Sequence, residues 1–455
     1  VRHRLVMPDP EGQGWSFSHP MLRECLERRV RQSGRSATVH LACARMLQER
    51  TLEQPGNAER VGTHLMHGGE TAEALSYFLQ AASEAFNQGS FHHVNTLLNE
   101  WEQAMVDQGL PASEPMWGQG WLLRGQVDRA LGRIEDAHQI INRAMRVAEE
   151  QGWPDIVANC LCEEGVILQR LGDWERSWQR LQKAQAQAEK LGDDQLLARI
   201  LNWQGDNLTT QGRLDEAHAV FEKCQKLAAK NGHTATEAEA WFQLGRVDKQ
   251  AGRLDFAQER ISRSLELFES VGARWGVSKT VNELGEIARL QNRLPEAAHH
   301  YGEALERMEE LGLPEATVPR LNLALVMMKQ EQYAQALPLV EYAHELFVQA
   351  DSRARQGITH LLLLICNAGQ ARWSDWEMHI GKTRLLFADT GFVDIDVAMC
   401  ATQAGNIAAE AGFPDRAKDA WDLATDQWLG LDRPEEANAT REKILGLSGT
   451  SSQEA

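Results

Sequence analysis

Glycine returns every 40 residues in this chain, in three series that stay in phase with one another. The first series is Gly125, Gly165, Gly205, Gly245 and Gly285. The second is Gly132, Gly172, Gly212 and Gly252, followed by Asn292 at the next position. The third is Gly152, Gly192, Gly232, Gly272 and Gly312. Three series in phase indicate one structural unit copied in tandem, and chains built in this way usually present a surface to partners.

Residues 194–233 show how one copy is expected to fold. Two apolar stripes with helical spacing are formed by Leu201, Gly205 and Leu208 and then by Ala217, Phe221 and Cys224. The stripes are separated at Gly212 and the second ends at Gly232, because glycine tolerates the left-handed backbone that closes a helix. Each copy is therefore predicted to be helix A, a tight turn, helix B and a second turn, with close helix approach at Gly205.

The same pattern resembles the tetratricopeptide repeat. The matching residues are Trp241, Leu244 and Gly245 on helix A, and Ala217 with Phe221 and Ala297 with Tyr301 on helix B. The period is 40 residues rather than the roughly 34 of the common repeat, and no proline closes each copy. The longer form is similar to repeats of bacterial signal-transduction ATPases and of maltose-regulator-like activators. The resemblance implies an all-α fold, a right-handed superhelical solenoid of helical hairpins.

The repeat pattern divides the chain into segments. Eight copies are predicted over residues 114–431, at 114–152, 154–192, 194–232, 234–272, 274–312, 314–351, 353–391 and 392–431. A cap helix is predicted over residues 432–447, with Asp432 as its N-cap and Pro434 near its start. The polar tail 448–455 is expected to be disordered.

The N-terminal quarter of the chain does not follow the glycine series. Residues 1–55 predict a short hairpin followed by two helices, and they resemble the winged-helix end of AAA/STAND-type ATPases. The residues that carry this resemblance are Phe17, His19, Leu22, Arg23, Glu24, Arg35 and His40. Residues 56–113 resemble the linking helical repeats that follow such ATPases. This resemblance implies a nucleotide-binding domain upstream in the parent protein and none in this chain. The chain begins at Val1 rather than Met, so we expect it to be a fragment.

Acidic residues outnumber basic residues in this chain. The net charge is −18, from 47 Lys and Arg against 65 Asp and Glu. An acidic array repels phosphate backbones, which argues against nucleic-acid binding by the repeats. No run of residues approaches the length of a membrane-spanning helix. Seven cysteines at irregular spacing do not suggest a disulfide framework, so we expect a cytoplasmic protein.

Motifs for catalysis or cofactors are weak throughout the sequence. Lys382 lies in a Gly-Lys-Thr tripeptide, but Trp376 replaces the first glycine that a phosphate-binding loop needs. Cys160 and Cys162 lack the spacing and the second pair of a zinc site. Five tryptophans at inter-helix positions are expected to be core residues: Trp174, Trp178, Trp241, Trp373 and Trp376. We therefore expect no enzyme activity, no cofactor and no metal.

The surface formed by the A helices is the stronger functional candidate. In this repeat class helix A lines the concave groove, and the positions three before, one after and four after each series glycine are predicted to face a partner. The predicted groove residues are Gln126, Arg129, Asn202, Asp206, Phe242, Arg246, Lys249, Asn282, Glu286, Arg289, Leu325 and Met328. Asn can bond a peptide backbone and Arg can hold a carboxylate. The alternative for Leu325 and Met328 is packing against neighbouring helices.

Two functional readings follow from these patterns. The first is a non-catalytic protein- or peptide-binding sensor of a STAND-type signalling ATPase, which would act on an upstream effector through the groove. A Ser/Thr kinase is the effector we favour, with transcription activators and cyclases as alternatives. The second reading is a stand-alone scaffold for complex assembly, or a domain that binds a small-molecule inducer.

Overall fold

The computed structural model describes residues 6–8, 15–17, 20–49, 56–313 and 316–450. The chain divides into two compact units. Unit 1 comprises Val1–Val247 and Glu266–Arg274, and unit 2 comprises Asp248–Leu265 and Trp275–Ala455.

The N-terminal segment holds the strands of the described chain. Strand β1 (Val6–Pro8) pairs antiparallel with β2 (Trp15–Phe17), and Met7 lies opposite Ser16. Helices α1 (Pro20–Gln32) and α2 (Ser36–Glu49) follow. Residues 1–5, 9–14, 18–19 and 50–55 of the predicted winged-helix-like segment lie outside the described residues.

The remaining described chain is a succession of helices. Three linking helices come first: α3 (Asn57–Gly68), α4 (Thr71–Asn87) and α5 (Phe91–Asp107). The A helices are α6 (Pro115–Ala130), α8 (Pro154–Arg170), α10 (Asp194–Thr210), α12 (Thr234–Gln250), α14 (Arg274–Leu290), α16 (Thr317–Lys329), α18 (Arg353–Ala368) and α20 (Ile395–Glu410). The B helices are α7 (Ile134–Gln151), α9 (Trp174–Leu191), α11 (Leu214–Lys230), α13 (Leu254–Ser270), α15 (Leu294–Glu310), α17 (Tyr333–Gln349), α19 (Trp376–Thr390) and α21 (Pro414–Gly430). Helix α22 (Pro434–Thr450) comes last and packs on α21.

A contact between residues 16 positions apart sets the register of the hairpins. A Cβ placed on Gly205 would lie 2.5 Å from a ring carbon of Phe221, so only glycine fits under that ring. The same offset relates Gly125 to Ile141, Gly165 to Leu181, Gly285 to Tyr301 and Gly405 to Trp421. The first glycine series therefore exists because a large helix B side chain fills the space that each glycine leaves.

The other two glycine series occupy turns with left-handed backbone. Gly212 has a φ of 73° after α10, and Asn292 has a φ of 61° at the equivalent turn after α14. Every described left-handed residue of unit 1 is glycine. Unit 2 also uses residues with side chains at such turns, namely Asn292, Glu331, Asp351, Ala371 and Asp432.

The start of the last helix differs from the prediction. Asp432 has a φ of 57° and belongs to the turn, so its assignment as N-cap is wrong. Arg433 precedes the helix instead, and its carbonyl accepts the first helical hydrogen bond from the backbone N–H of Ala437. The helix continues to Thr450, three residues past the predicted cap helix, and residues 451–455 lie outside the described chain.

Candidate partner-binding surface

The A face is the side of each A helix that carries the predicted groove positions. In unit 1, Gln126 and Arg129 of this face both contact Glu163 of α8, whose side chain is 1% exposed. One carboxylate oxygen lies 3.1 Å from Arg129 Nε, and the other lies 2.8 Å from Arg199 Nη2. Gln126 also donates to Glu163, at 3.0 Å. Two predicted groove residues, Gln126 and Arg129, therefore bind the next A helix.

The same connection recurs in unit 2 with a lysine. Lys249 Nζ lies 2.6 Å from Glu283 Oε1, and this pair is 34 positions apart, like Arg129 and Glu163. Asn282 accepts a hydrogen bond from Asn322 of the following copy at 3.4 Å. The predicted groove residues Lys249 and Asn282 thus hold neighbouring copies together. The two acids were missed by the sequence analysis because they lie two positions before the series glycine, outside the three positions considered.

Part of the unit 1 A face is open to solvent. We call Arg199, Trp203, Asp206 and Arg246 the unit 1 strip. Arg246 Nη1 lies 3.5 Å from Asp206 Oδ1, and these side chains are 39% and 26% exposed. Trp203 is half-buried, and the guanidinium of Arg129 lies 5.5 Å from its ring centroid. The strip therefore combines an aromatic ring with charges of both signs.

The strip includes two residues that the sequence analysis missed. Arg199, Trp203 and Asp206 follow the spacing i, i+4, i+7, which places them on one face of α10. Because Asp206 was a predicted groove residue, that spacing could have identified Arg199 and Trp203 from the sequence. Asn202 and Phe242, which were predicted to face the groove, are instead buried between helices. Asn202 Oδ1 has no hydrogen-bond partner among the described residues, which is uncommon for a buried amide.

In unit 2, Arg289 connects two distant A helices. Its Nε donates to Glu286 Oε2 at 3.1 Å, and its Nη1 donates to Asp396 Oδ1 of α20 at 3.1 Å. The Tyr301 hydroxyl also donates to Glu286, at 2.6 Å. Burial would raise the pKa of Glu286, but the hydrogen bond and the charge of Arg289 outweigh burial and lower that pKa. Glu286 and Arg289 are therefore both charged at neutral pH.

A cavity of about 380 Å³ opens on the A face of unit 2. Two predicted groove residues, Arg289 and Leu325, line it together with side chains of α20, α21 and α22. Met328, the last predicted groove residue, does not reach the cavity, because it is buried in the core around α16–α21. Arg289 and Leu325 of the predicted set thus share a concave site.

Three histidines meet elsewhere in unit 2, on three consecutive helices. The ring centroids of His344 and His360 are 4.5 Å apart, and His360 Nδ1 lies 3.1 Å from His379 Nδ1. Burial, assisted by the two neighbouring imidazoles, lowers the pKa of His360 to about 4. Within the described ranges, no group of three or more His, Cys, Asp or Glu has a geometry suited to a metal ion.

The cysteines and tryptophans divide by burial. Cys160 and Cys162 are buried, and burial raises the pKa of each thiol to about 12, so neither is reactive at neutral pH. Trp376 is buried as expected. The other four tryptophans predicted to be core residues are only half-buried: Trp174, Trp178, Trp241 and Trp373.

Among the described helices, none is long and apolar enough to cross a lipid bilayer.

Comparisons with known proteins agree with this architecture. The tetratricopeptide-repeat family model matches residues 157–230 and 236–310. No curated protein matches the chain. The crystal structure of apo RapI is similar with a TM-score of 0.52 at 13% identity, covering 79% of this chain and 98% of that one. A Rap protein complexed with competence and sporulation factor gives 0.50 at 12% identity, covering 84% and 100%.

A third similar structure is a longer protein. It is a signal-transduction ATPase with numerous domains (STAND) and a tetratricopeptide-repeat sensor, from Pyrococcus horikoshii. The TM-score is 0.47 at 13% identity, covering 96% of this chain and 59% of that one. The architecture defines an all-α protein of consecutive tetratricopeptide-like helical hairpins, so the predicted fold class is confirmed. Proteins with this fold typically serve as non-catalytic binding scaffolds.

Proposed function

We propose that this chain is a non-catalytic sensor and scaffold that binds a protein or peptide partner on its A face. The observation that carries the proposal is the unit 1 strip. There the half-buried ring of Trp203 lies 5.5 Å from the guanidinium of Arg129, and Asp206 on the same face of α10 pairs with Arg246. Trp and Arg are the residues that most often dominate the binding energy of protein interfaces. The Arg246–Asp206 pair is exposed enough to exchange its partner for a charged group of a ligand.

The finer proposal concerns the parent protein. The resemblance of residues 1–55 and 56–113 to the end of STAND-type ATPases supports a role as the sensor of such an ATPase, in the cytoplasm. A partner on the A face would relieve or impose restraint on the ATPase and on a fused effector, for which we favour a Ser/Thr kinase. ATP hydrolysis by the parent protein, measured with and without the partner, tests this role. A rate that does not change with the partner favours the stand-alone scaffold.

The strip itself is tested by affinity capture from a lysate of the source organism with the full chain as bait. The variants Trp203→Ala and Arg246→Glu are compared with Arg146→Glu, which changes an exposed arginine on helix B of the same unit. We expect a captured protein to be lost with both strip variants and kept with Arg146→Glu. The purified pair should then bind at least about tenfold more weakly to Trp203→Ala. Equal capture by all three variants would place the partner elsewhere.

A further inference from the structure

The cavity of unit 2 has an apolar wall that is partly exposed to solvent. Met399 of α20 lines it and is 43% exposed, which is unusual for a large apolar residue beside a cavity. Leu325 of α16 and Trp428 of α21 complete the apolar part of the lining. An apolar group of a ligand would remove this surface from water, which is the main source of affinity in small-molecule sites.

The charged part of the lining has an excess of cations. The cavity is lined by Arg289, Lys329 and Lys443 and by only two carboxylates, Asp396 and Glu436. Both carboxylates are already paired. Asp396 accepts from Arg289 at 3.1 Å, and Glu436 lies 3.6 Å from Arg433.

The two lysines have no carboxylate of their own among the described residues. Lys443 donates to Asn406 Oδ1 at 2.8 Å. Lys329 is exposed and makes neither a hydrogen bond nor an ion pair within the described part of the chain. The chain as a whole is acidic, with a net charge of −18, but these two cations make the surroundings of the apolar wall locally positive. A locally positive site favours binding of an anion.

We propose that this cavity binds a small organic acid, with its apolar body on Leu325, Met399 and Trp428 and its carboxylate at Lys329 and Lys443. The volume of about 380 Å³ fits a small molecule, since such sites span roughly 300–1,000 Å³. The Arg289–Asp396 pair joins α14 to α20 at the cavity wall, so an extended polypeptide lying along this face would have to break it. A small acid leaves the pair intact.

This acid would be a ligand in addition to the partner on the unit 1 strip. The inference therefore does not depend on the proposed function, and Trp203→Ala should leave acid binding unchanged. Conversely, loss of partner capture by the strip variants says nothing about the cavity. The two proposals can thus fail separately.

The test uses the full chain with two acids, indole-3-acetate and octanoate, and the matched neutral amides of both. Binding is measured by calorimetry and by ligand-detected NMR. We expect at least one acid to bind, and its amide to bind about tenfold more weakly, because the amide cannot make a charge-assisted contact with a lysine. Lys329→Gln and Lys443→Gln should each weaken the acid about tenfold. Lys418→Gln, an exposed lysine on α21 outside the cavity, should have no effect.

A second variant checks the location without changing charge. Ala439→Trp places a large ring in the cavity lining on α22 and should abolish binding of the acid. Three outcomes would overturn the inference: no probe binds at millimolar concentration, acids and amides bind alike, or Lys418→Gln weakens binding as much as Lys329→Gln. A labelled pool of random hexapeptides with free carboxyl ends is run in parallel. If these peptides alone bind, and bind through Lys329, the cavity takes a peptide end and the small-acid inference is wrong.

Discussion

Arg289 and Asp396 form an ion pair across 107 positions of the chain, between two A helices that are three copies apart. Arg289 is only 10% exposed, and Glu286 holds it from its own helix. This ion pair therefore bridges α14 and α20 across the A face of unit 2, and both of its residues line the cavity. The ion pairs Arg129–Glu163 and Lys249–Glu283, by contrast, join A helices of neighbouring copies.

Removing the carboxylate of this pair should destabilise unit 2. We expect Asp396→Ala to lower the free energy of unfolding by about 1–2 kcal/mol, because Arg289 loses one partner but keeps Glu286. The control is Asp419→Ala, which breaks the more exposed Arg384–Asp419 pair and should cost much less. Chemical denaturation of both variants measures the difference. Equal costs would mean that the Arg289–Asp396 pair adds no more than an ordinary surface contact.

Two glycine-to-alanine substitutions should change the free energy of unfolding in opposite directions, because Gly205 lies under the ring of Phe221 whereas Gly302 faces open space. Gly205→Ala should destabilise the protein by about 1–3 kcal/mol, because the new Cβ would overlap the ring. Gly302→Ala, on a helix whose glycine faces open space, should instead stabilise by up to about 1 kcal/mol. Thermal and denaturant unfolding measure both. Adding Phe221→Leu to Gly205→Ala should recover part of the loss, and failure to recover would contradict the 16-residue register.

The buried carboxylate of Glu163 should matter far more than an exposed one. Glu163→Ala leaves Arg129 and Arg199 without their shared partner, so we expect a loss of about 3 kcal/mol. The matched change Glu216→Ala breaks an exposed pair between Glu216 of α11 and Arg213, which directly precedes that helix, and should leave the melting temperature unchanged. If both variants melt together, the contact between copies does not depend on this ion pair.

The histidine group of unit 2 should make stability depend on pH. Burial, with His344 and His379 nearby, lowers the pKa of His360 from 6.5 to about 4. Between these values the unfolded chain binds a proton that the folded chain refuses, so the free energy of unfolding falls as the pH falls from about 6.5 towards about 4. Burial also lowers the pKa of His344 and of His379. The charge of Glu345 raises the pKa of His344, and the charge of Asp375 raises the pKa of His379, but burial outweighs both. The charge of Lys382 further lowers the pKa of His360.

Replacing the central imidazole tests this dependence. His360→Gln should flatten the decline in stability over that pH range, as measured by urea unfolding at a series of pH values. His92→Gln, at an exposed histidine on α5 in unit 1, is the control and should keep the wild-type slope. An unchanged slope in His360→Gln would show that other groups cause the acid sensitivity.

Local rules were enough to predict the fold. The first glycine series reports a contact inside one hairpin, as between Gly205 and Phe221, and the other two report turns such as that at Gly212. These features depend on residues fewer than 20 positions apart, so the spacing in the sequence reveals them directly.

The site could be predicted only in part, because its contacts extend beyond one copy. Arg129 was predicted to face a partner in the groove, but in the structure it donates a hydrogen bond to Glu163 of the next copy. The approach of Arg289 to Asp396, and the meeting of His344, His360 and His379, depend on how several copies stack. Small rotations between copies accumulate over that distance, and no pattern within a single copy encodes their sum.

The turns give the two units different conformational strain. Side-chain-bearing residues cost roughly 1 kcal/mol or more in left-handed backbone, with Asn and Asp costing less, and unit 2 holds such residues at turns where unit 1 has glycine. Thermal opening and amide hydrogen exchange should therefore begin in unit 2. A ligand in the cavity would then bind the unit that is expected to open first, where even a modest affinity would lower the population of open states.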